Sequence, residues 1–232
     1  MEFTKALIKG KLIKRYKRFF ADVKLDKEIV TAHCPNTGSM KGLLDKGNEV
    51  FISKNDDPKR KLKYTLEIIR IKKNLVGVNT HFANKIAYHG LSNNLVKEIS
   101  NSESIKPEVF FDKETRFDFL VEKNKKKIFV EVKNVTLFRE EKIAEFPDAI
   151  TTRGSKHLKT LITAVKKGYK SYLLFLVQIQ GVENFKIAKD IDKEYYNNYL
   201  LAKKAGVKFL AYRCKISSKE IIIEKKIKII DA

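Results

Sequence analysis

The sequence predicts two units in series, an all-β unit over residues 1–80 and an α/β unit over residues 81–232. Three observations carry that division. Up to about residue 80, short runs of alternating apolar and polar residues are broken by Gly, Asn and Asp at regular spacing, as in a small barrel or sandwich. Beyond it the apolar period lengthens to that of a helix, and strands then alternate with helices. Residues 171–178 form a nearly continuous apolar run, which marks a strand buried on both faces. At 232 residues, 43 % of them apolar, the chain is long enough for one large domain or two small ones.

In the first unit, strands are expected at 7–8, 15–23, 29–34, 49–53, 64–71 and 75–79, with a polar loop at 55–61. Phe82, Ile86, Leu91, Leu95 and Ile99 then place a helix over 81–99. Residues 101–106 read as loop, and strands follow at 109–111, 117–122 and 127–135. Ser155 stands where a cap is needed for a helix over 155–167, whose stripe is Leu158, Leu161, Ile162 and Val165 and which Gly168 ends. A last helix over 192–205, ended by Gly206, precedes a strand at 207–212.

Lys and Arg number 49 against 28 Asp and Glu, a net charge of +21. Such a surplus coats much of the surface and favours polyanionic partners, DNA or RNA first. A lysine-biased genome is the bland source of the same count. There is no long basic amphipathic helix, and the longest apolar run, 172–177, is far short of the roughly 20 residues of a membrane span, so no membrane partner is expected. Cys34 and Cys214 lie too far apart in sequence to suggest a disulfide framework or a zinc site, and no charged-then-apolar leader is seen. A reduced, cytoplasmic setting is expected. His33 does not activate Cys34 as a nucleophile, because neighbouring strand residues face opposite ways.

The chemistry is concentrated in residues 116–134. Two apolar-rich runs, 116–121 and 130–134, flank a lysine-rich turn and read as a β-hairpin. Period two puts Glu131 and Lys133 on one face and Val130 and Val132 on the other. A turn centred on Asn124 and Lys125 sets Asp118 opposite Glu131. Like charges across a sheet are unfavourable; a hard divalent cation between them reverses that penalty. An Asp followed by Glu-x-Lys on the next strand is the arrangement of metal-dependent phosphodiester hydrolases of the PD-(D/E)XK type. The same three residues also suit an ordinary ion cluster on a hairpin.

Six strings occur in order: Arg15-Tyr16-Lys17-Arg18-Phe19, His33-Cys34-Pro35-Asn36-Thr37-Gly38-Ser39-Met40, Arg116-Phe117-Asp118-Phe119, Glu131-Val132-Lys133-Asn134-Val135-Thr136-Leu137, Phe146-Pro147-Asp148-Ala149 and Thr152-Arg153-Gly154-Ser155-Lys156-His157-Leu158. Together they resemble the sugar fermentation stimulation protein A (SfsA) family, over about residues 13–216. The resemblance implies a two-domain protein that binds DNA: an N-terminal OB-like β-barrel followed by a PD-(D/E)XK restriction-endonuclease-like α/β domain. It carries Asp118, Glu131 and Lys133 over as the catalytic set. Asp118 and Glu131, with the Val132 carbonyl, would hold Mg²⁺ or Mn²⁺, and Lys133 would orient the water or meet charge on the phosphorane. The glutamate that such domains often place on the preceding helix falls at His89, a poor Mg²⁺ ligand, with Glu98 and Glu108 as nearby substitutes.

Lys14, Arg15, Tyr16 and Arg18 interleave base and aromatic, as an OB groove does for a single strand. On one continuous strand, Lys14, Tyr16 and Arg18 share a face. Tyr16 and Phe19 read equally well as core. Asn36 lies in a turn that clamps a phosphate or packs on the second unit. Arg153 offers a bidentate phosphate contact. Lys156 and His157 lie in the first turn of a helix, where free backbone N–H groups favour an anion; His157 can also relay a proton. Asp148 reads as support for the metal site or as a turn former. The expectation is a DNA-binding nuclease. A non-catalytic, sequence-nonspecific DNA-binding regulator and an RNA-binding or processing protein are the alternatives, and a homodimer stays open.

Overall fold

In the computed structural model, which describes residues 1–230, the first unit is built from β1 (Ile8–Tyr16), β2 (Phe20–Lys24), β3 (Ile29–His33), β4 (Glu49–Lys54) and β5 (Tyr64–Ile71). The strand order is β3-β2-β1-β4-β5, and a short parallel pairing of Ala32 and His33 with Tyr64 and Thr65 closes the ring. Closure leaves no free edge. Leu12, Ala21, Val23, Ala32, Val50, Ile52 and Leu66 alternate into its interior and are buried. β6 (Asn74–Gly77) continues from β5 as a hairpin and docks on the second unit. There the Gly77 N–H donates to the Gln178 carbonyl (2.9 Å) and Val76 bridges to Ile179. One apolar cluster therefore runs from Leu12 and Val23 through Val76 to Leu173 and Phe175.

The run expected as one strand over 15–23 is instead a hairpin. Lys17 and Arg18 adopt left-handed backbone (φ 46° and 60°), and Tyr16 pairs with Phe20 across the turn. Lys14 and Tyr16 do share an exposed face, whereas Arg18 lies in the turn. The adjacent bases Lys17-Arg18 and the run Phe19-Phe20-Ala21 break the alternation at this turn.

The second unit follows as α1 (Ala83–Ser92), β7 (Ser104–Phe110), β8 (Arg116–Lys123), β9 (Lys126–Val135), β10 (Leu137–Glu140), β11 (Ile143–Phe146), α2 (Thr152–Lys166), β12 (Lys170–Val177), β13 (Asn184–Ile187), α3 (Lys193–Ala205), β14 (Lys208–Ile216), β15 (Ile221–Lys226) and β16 (Lys228–Ile229). Its main sheet has the order β15-β14-β12-β9-β8-β7, with β9, β12 and β14 parallel at the centre. β12 is the apolar run read from the sequence. Its Leu174 and Leu176 join Ile86, Ala87 and Leu91 of α1, while Leu173 and Phe175 join Leu158 and Leu161 of α2. The helices thus cover opposite faces. A smaller sheet, β10-β11-β13-β16, flanks the main one. Its strands are only two to four residues long, too short for a period to show.

Three element boundaries differ from expectation. α1 stops at Ser92, because Asn94 turns left-handed (φ 58°), and a single 3-10 turn, Lys97–Ile99, follows. The second half of the loop expected at 101–106 is the start of β7. α2 starts three residues before Ser155: Thr151 caps it, its Oγ1 accepting from the Gly154 N–H (3.1 Å), and Ser155 is buried within the helix. Asp192 caps α3 by accepting from the Tyr195 N–H (2.8 Å), and its second oxygen accepts from the Thr151 N–H (2.8 Å). One carboxylate ties together the starts of both helices.

Candidate functional site

The β8–β9 hairpin turns on Asn124 and Lys125, both left-handed (φ 51° and 58°), with Lys123 paired to Lys126. That register, continued past the last ladder pair, Phe119 with Val130, sets Asp118 against Glu131. The ladder opens there, and the carboxylate takes the place of a main-chain acceptor: Asp118 Oδ2 accepts from the Val132 N–H at 2.7 Å. Burial and then the charge of Glu131 push the Asp118 carboxyl up to about 6, against the pull of the Val132 N–H, Asn84 and Lys133.

Glu131 is 2 % exposed. Burial raises its pKa, but the Lys133 ammonium and His157 outweigh that, and it is held below the usual carboxylate range. Lys133, two residues on and therefore on the same face, donates to Glu131 Oε1 at 2.8 Å. His157 of α2 contacts the same oxygen through Nδ1. Arg153, one turn earlier, donates through Nε to His157 Nε2 (3.3 Å). Nε2 is then the acceptor, so Nδ1 carries the ring hydrogen and donates to Glu131. The other carboxylate oxygen, Glu131 Oε2, is buried without a partner.

Asn84 of α1 was not expected here. Its Nδ2 donates to Asp118 Oδ1 (2.8 Å) and lies 3.3 Å from Glu108 Oε1. Five residues along a helix is a rotation of about 140°, so His89 faces away from the hairpin while Asn84 reaches it. Of the two acidic substitutes, Glu98 is engaged with Tyr212 and Lys226, whereas Glu108 flanks the site. A lone Asn in the first turn of a helix carries no sequence signal of such a role. Tyr195 was also missed: its hydroxyl is buried without a partner, and its pKa is raised by burial and then by the charge of Glu131.

Asn84, Asp118 and His157 line a cleft of about 710 Å³, rimmed by Arg116, Arg153 and Lys156, with Glu108 and Glu114 also on its wall. Lys156 pairs with Glu114 at 3.2 Å in an exposed contact. A hard cation fits this donor set. Glu131 Oε2 is an oxygen with no other use, and two adjacent buried carboxylates repel until a positive charge separates them. Among the described residues, no group of three or more His, Cys, Asp or Glu is placed to hold a metal. Two carboxylates with the remaining positions left to water and phosphate is the usual habit of Mg²⁺.

The first unit's predicted residues lie apart from the carboxylates. Lys14 sits over the Tyr16 ring (5.3 Å to its centroid), and Tyr16 stacks on Phe20 and is 36 % exposed. Arg15 folds inward, donating to the carbonyls of Asn36 (2.7 Å) and Gly38 (3.1 Å). Asn36 is buried and its side chain accepts from the Gly38 N–H, which shapes the turn. Arg15, Arg18 and Gly38 line a second cleft together with Asp148. Cys34 is buried against Met40, and burial pushes its thiol up, as suits an unreactive core residue.

Two family models divide the chain between them. Residues 13–78 match the SfsA N-terminal OB domain, and residues 81–220 match the sugar fermentation stimulation protein RE domain. The chain belongs to the SfsA family. An SfsA relative, the sugar fermentation stimulation protein homolog of Pelagibacter ubique (strain HTCC1062), is 88 % identical over 232 residues, with both chains fully covered. The homolog of Pseudoalteromonas atlantica is 44 % identical, covering 99 % of this chain and all of its own. The structure of Pyrococcus furiosus SfsA in complex with Ca²⁺ superposes with a TM-score of 0.88 at 26 % identity, over 99 % of this chain and 98 % of that one. The fold is therefore an SfsA fold, an OB barrel followed by an α/β domain. No helix among the described residues is long and apolar enough to cross a membrane.

Proposed function

We propose that this chain binds DNA through its phosphates and hydrolyses phosphodiester bonds with a divalent cation held by Asp118 and Glu131. The observation that carries the reading is the buried, partnerless Oε2 of Glu131 beside a carboxyl, Asp118, that its neighbour keeps from ionising freely. Mg²⁺ or Mn²⁺ bound there would polarise the phosphate and lower the pKa of a water. The chain's own residues do the rest. Arg153 and Lys156, at the mouth of the cleft, hold the phosphate. Lys133 Nζ stands beside Glu131 and meets negative charge as it grows on the phosphate oxygens. When Arg153 turns to the phosphate, it releases His157 Nε2, which then accepts a proton. The net charge of +21 supplies the affinity for a polyanion. That Pyrococcus furiosus SfsA was solved with Ca²⁺ supports a divalent ion here.

A binding protein without turnover is the second reading, and Asn84 favours it. A neutral amide contacts Asp118 from the helix, and Lys133 with His157 already neutralises Glu131. The test is cleavage of end-labelled duplex, single-stranded and branched DNA, and of matched RNA, with Mg²⁺, Mn²⁺ or EDTA. Wild type is run beside Glu131→Gln, whose folding is checked by melting. Cleavage that needs metal and vanishes in the variant is expected. Binding without cleavage on every substrate moves the conclusion to the binding protein, and a clear preference for RNA moves it to RNA.

A further inference from the structure

A separate cavity of about 570 Å³ lies where the barrel meets α1, in the size range of small-ligand sites. Two of the chain's four histidines face it. His33 comes from the end of β3 and His81 from the turn before α1, with ring centroids 6.3 Å apart, and neither ring makes a hydrogen bond to the described residues. Arg60, from the β4–β5 loop, lines the same wall and is anchored by donating to Thr65 Oγ1 (3.2 Å). Lys54 and Lys85 stand at the rim. The floor is polar: buried Glu67 accepts from Ser53 (2.6 Å) and Asn79 (2.8 Å), so both its oxygens are occupied. Glu2 and Lys5 of the N-terminal segment complete the lining, and Lys5 is paired with Asp56.

We propose that this cavity is a binding site for a phosphate monoester dianion, held by His33, His81 and Arg60. Two imidazoles and a guanidinium converging on one space, without partners among themselves, repel each other once protonated. A tetrahedral dianion between them accepts a hydrogen bond from each and removes the repulsion. In the absence of such an ion, burial and then the charges of His81 and Arg60 lower the pKa of His33. The bound anion reverses the electrostatic part, so binding takes up protons and tightens as pH falls through the histidine range, near 6.5. Glu67 and Glu2 are the acidic groups on this wall; burial raises the Glu67 pKa, and its two oxygens are taken up by Ser53 and Asn79. The site is independent of the Asp118–Glu131 cleft and does not rest on the nuclease reading.

Calorimetric titration of the full chain tests this with three probes: inorganic phosphate, a nucleoside 5′-monophosphate, and a short oligonucleotide with or without a 5′-phosphate. One phosphate-bearing probe per chain is expected to bind, and its affinity per dianion, corrected for the ligand's own second ionisation near pH 6, should be about tenfold greater at about pH 6 than at about pH 8. His33→Gln/His81→Gln and Arg60→Ala, each checked for unchanged melting, should each weaken binding about tenfold or more, the effect of losing hydrogen bonds to a charged ligand. With inorganic phosphate or the nucleoside monophosphate as probe, Lys41→Ala, remote from this cavity and from the Asp118–Glu131 cleft, should leave it unaltered. Preference for the free monophosphate assigns a small ligand, and preference for the 5′-phosphorylated oligonucleotide over its unphosphorylated twin assigns a nucleic-acid end. No heat with any probe, equal affinity per dianion at both pH values, or small-phosphate binding undiminished in both His33→Gln/His81→Gln and Arg60→Ala instead overturns the proposal.

Discussion

Replacing Asp118 by Asn should make the metal-free protein more stable, and only above the acidic range. The folded state raises the Asp118 pKa from 3.8 to about 6. Because the folded value lies above the unfolded one, the fold holds this proton more tightly. Below about pH 4 the carboxyl is neutral in both states, so Asp118→Asn gains nothing there and should be no more stable than wild type. As pH rises through about 6, wild type loses stability that the variant keeps. A shift of this size is about 3 kcal/mol, at about 1.36 kcal/mol per unit. Asn still offers one oxygen to the Val132 N–H, but its amide then meets the Asn84 amide, and losing that hydrogen bond returns about 1 kcal/mol. The net gain is about 2 kcal/mol near pH 8, or about 4–8 °C in melting temperature for a chain of this length. The assay is thermal and urea unfolding of both proteins in EDTA from about pH 4 to about pH 8. A difference that does not grow with pH would refute the claim that Glu131 and burial disfavour the Asp118 charge. Added Mg²⁺ should then stabilise wild type and leave Asp118→Asn nearly unmoved.

Further outcomes follow from the same geometry. Thr151→Ala should destabilise by about 1 kcal/mol, since it removes the α2 cap, and should lower any cleavage rate because α2 carries His157; unfolding and turnover measured together check this. Arg153→Lys should weaken DNA binding and alter the pH profile of cleavage, because a lysine ammonium lacks the fork that reaches both a phosphate and His157 Nε2. Arg15→Ala should lower the unfolding free energy by about 1–2 kcal/mol in urea titration, as two hydrogen bonds to the turn at 36–38 are lost. DNA affinity should fall linearly on a log–log plot against salt, with a slope of roughly −0.9 per phosphate contacted; a slope near zero in filter binding or anisotropy would contradict phosphate-dominated binding.

Local signals were the most legible. The hairpin turn at Asn124-Lys125 follows from an Asn, which tolerates left-handed backbone, in a lysine-rich break between two apolar-rich runs, and it sets the relation of Asp118 to Glu131. The buried central strand was visible in its unbroken apolar run, and the last helix in its closing glycine. Errors fell where two local readings compete. Residues 15–23 read as one strand although the alternation breaks at Lys17-Arg18, where the chain turns, and Ser155 and Thr151 are both good caps. Which cap is used depends on where Asp192, far along the chain, can receive the Thr151 N–H. The strands of the small sheet are too short to announce themselves.

By itself the sequence determined the central strand β12 and the helices on either side of it in the chain, the surplus of positive charge and the carboxylate pair on the hairpin, because each is a property of neighbours in the chain. Only the tertiary structure decided that Asn84 rather than His89 meets Asp118, that His157 closes on Glu131, that Arg15 serves the Asn36 turn, and that His33 faces His81 across the seam between barrel and helix. Each of these is set by the rotation of a helix or the closure of a barrel against a distant strand. A shift of one residue there moves a side chain by about 100° or to the opposite face of a sheet, and no local pattern records which setting packing selects.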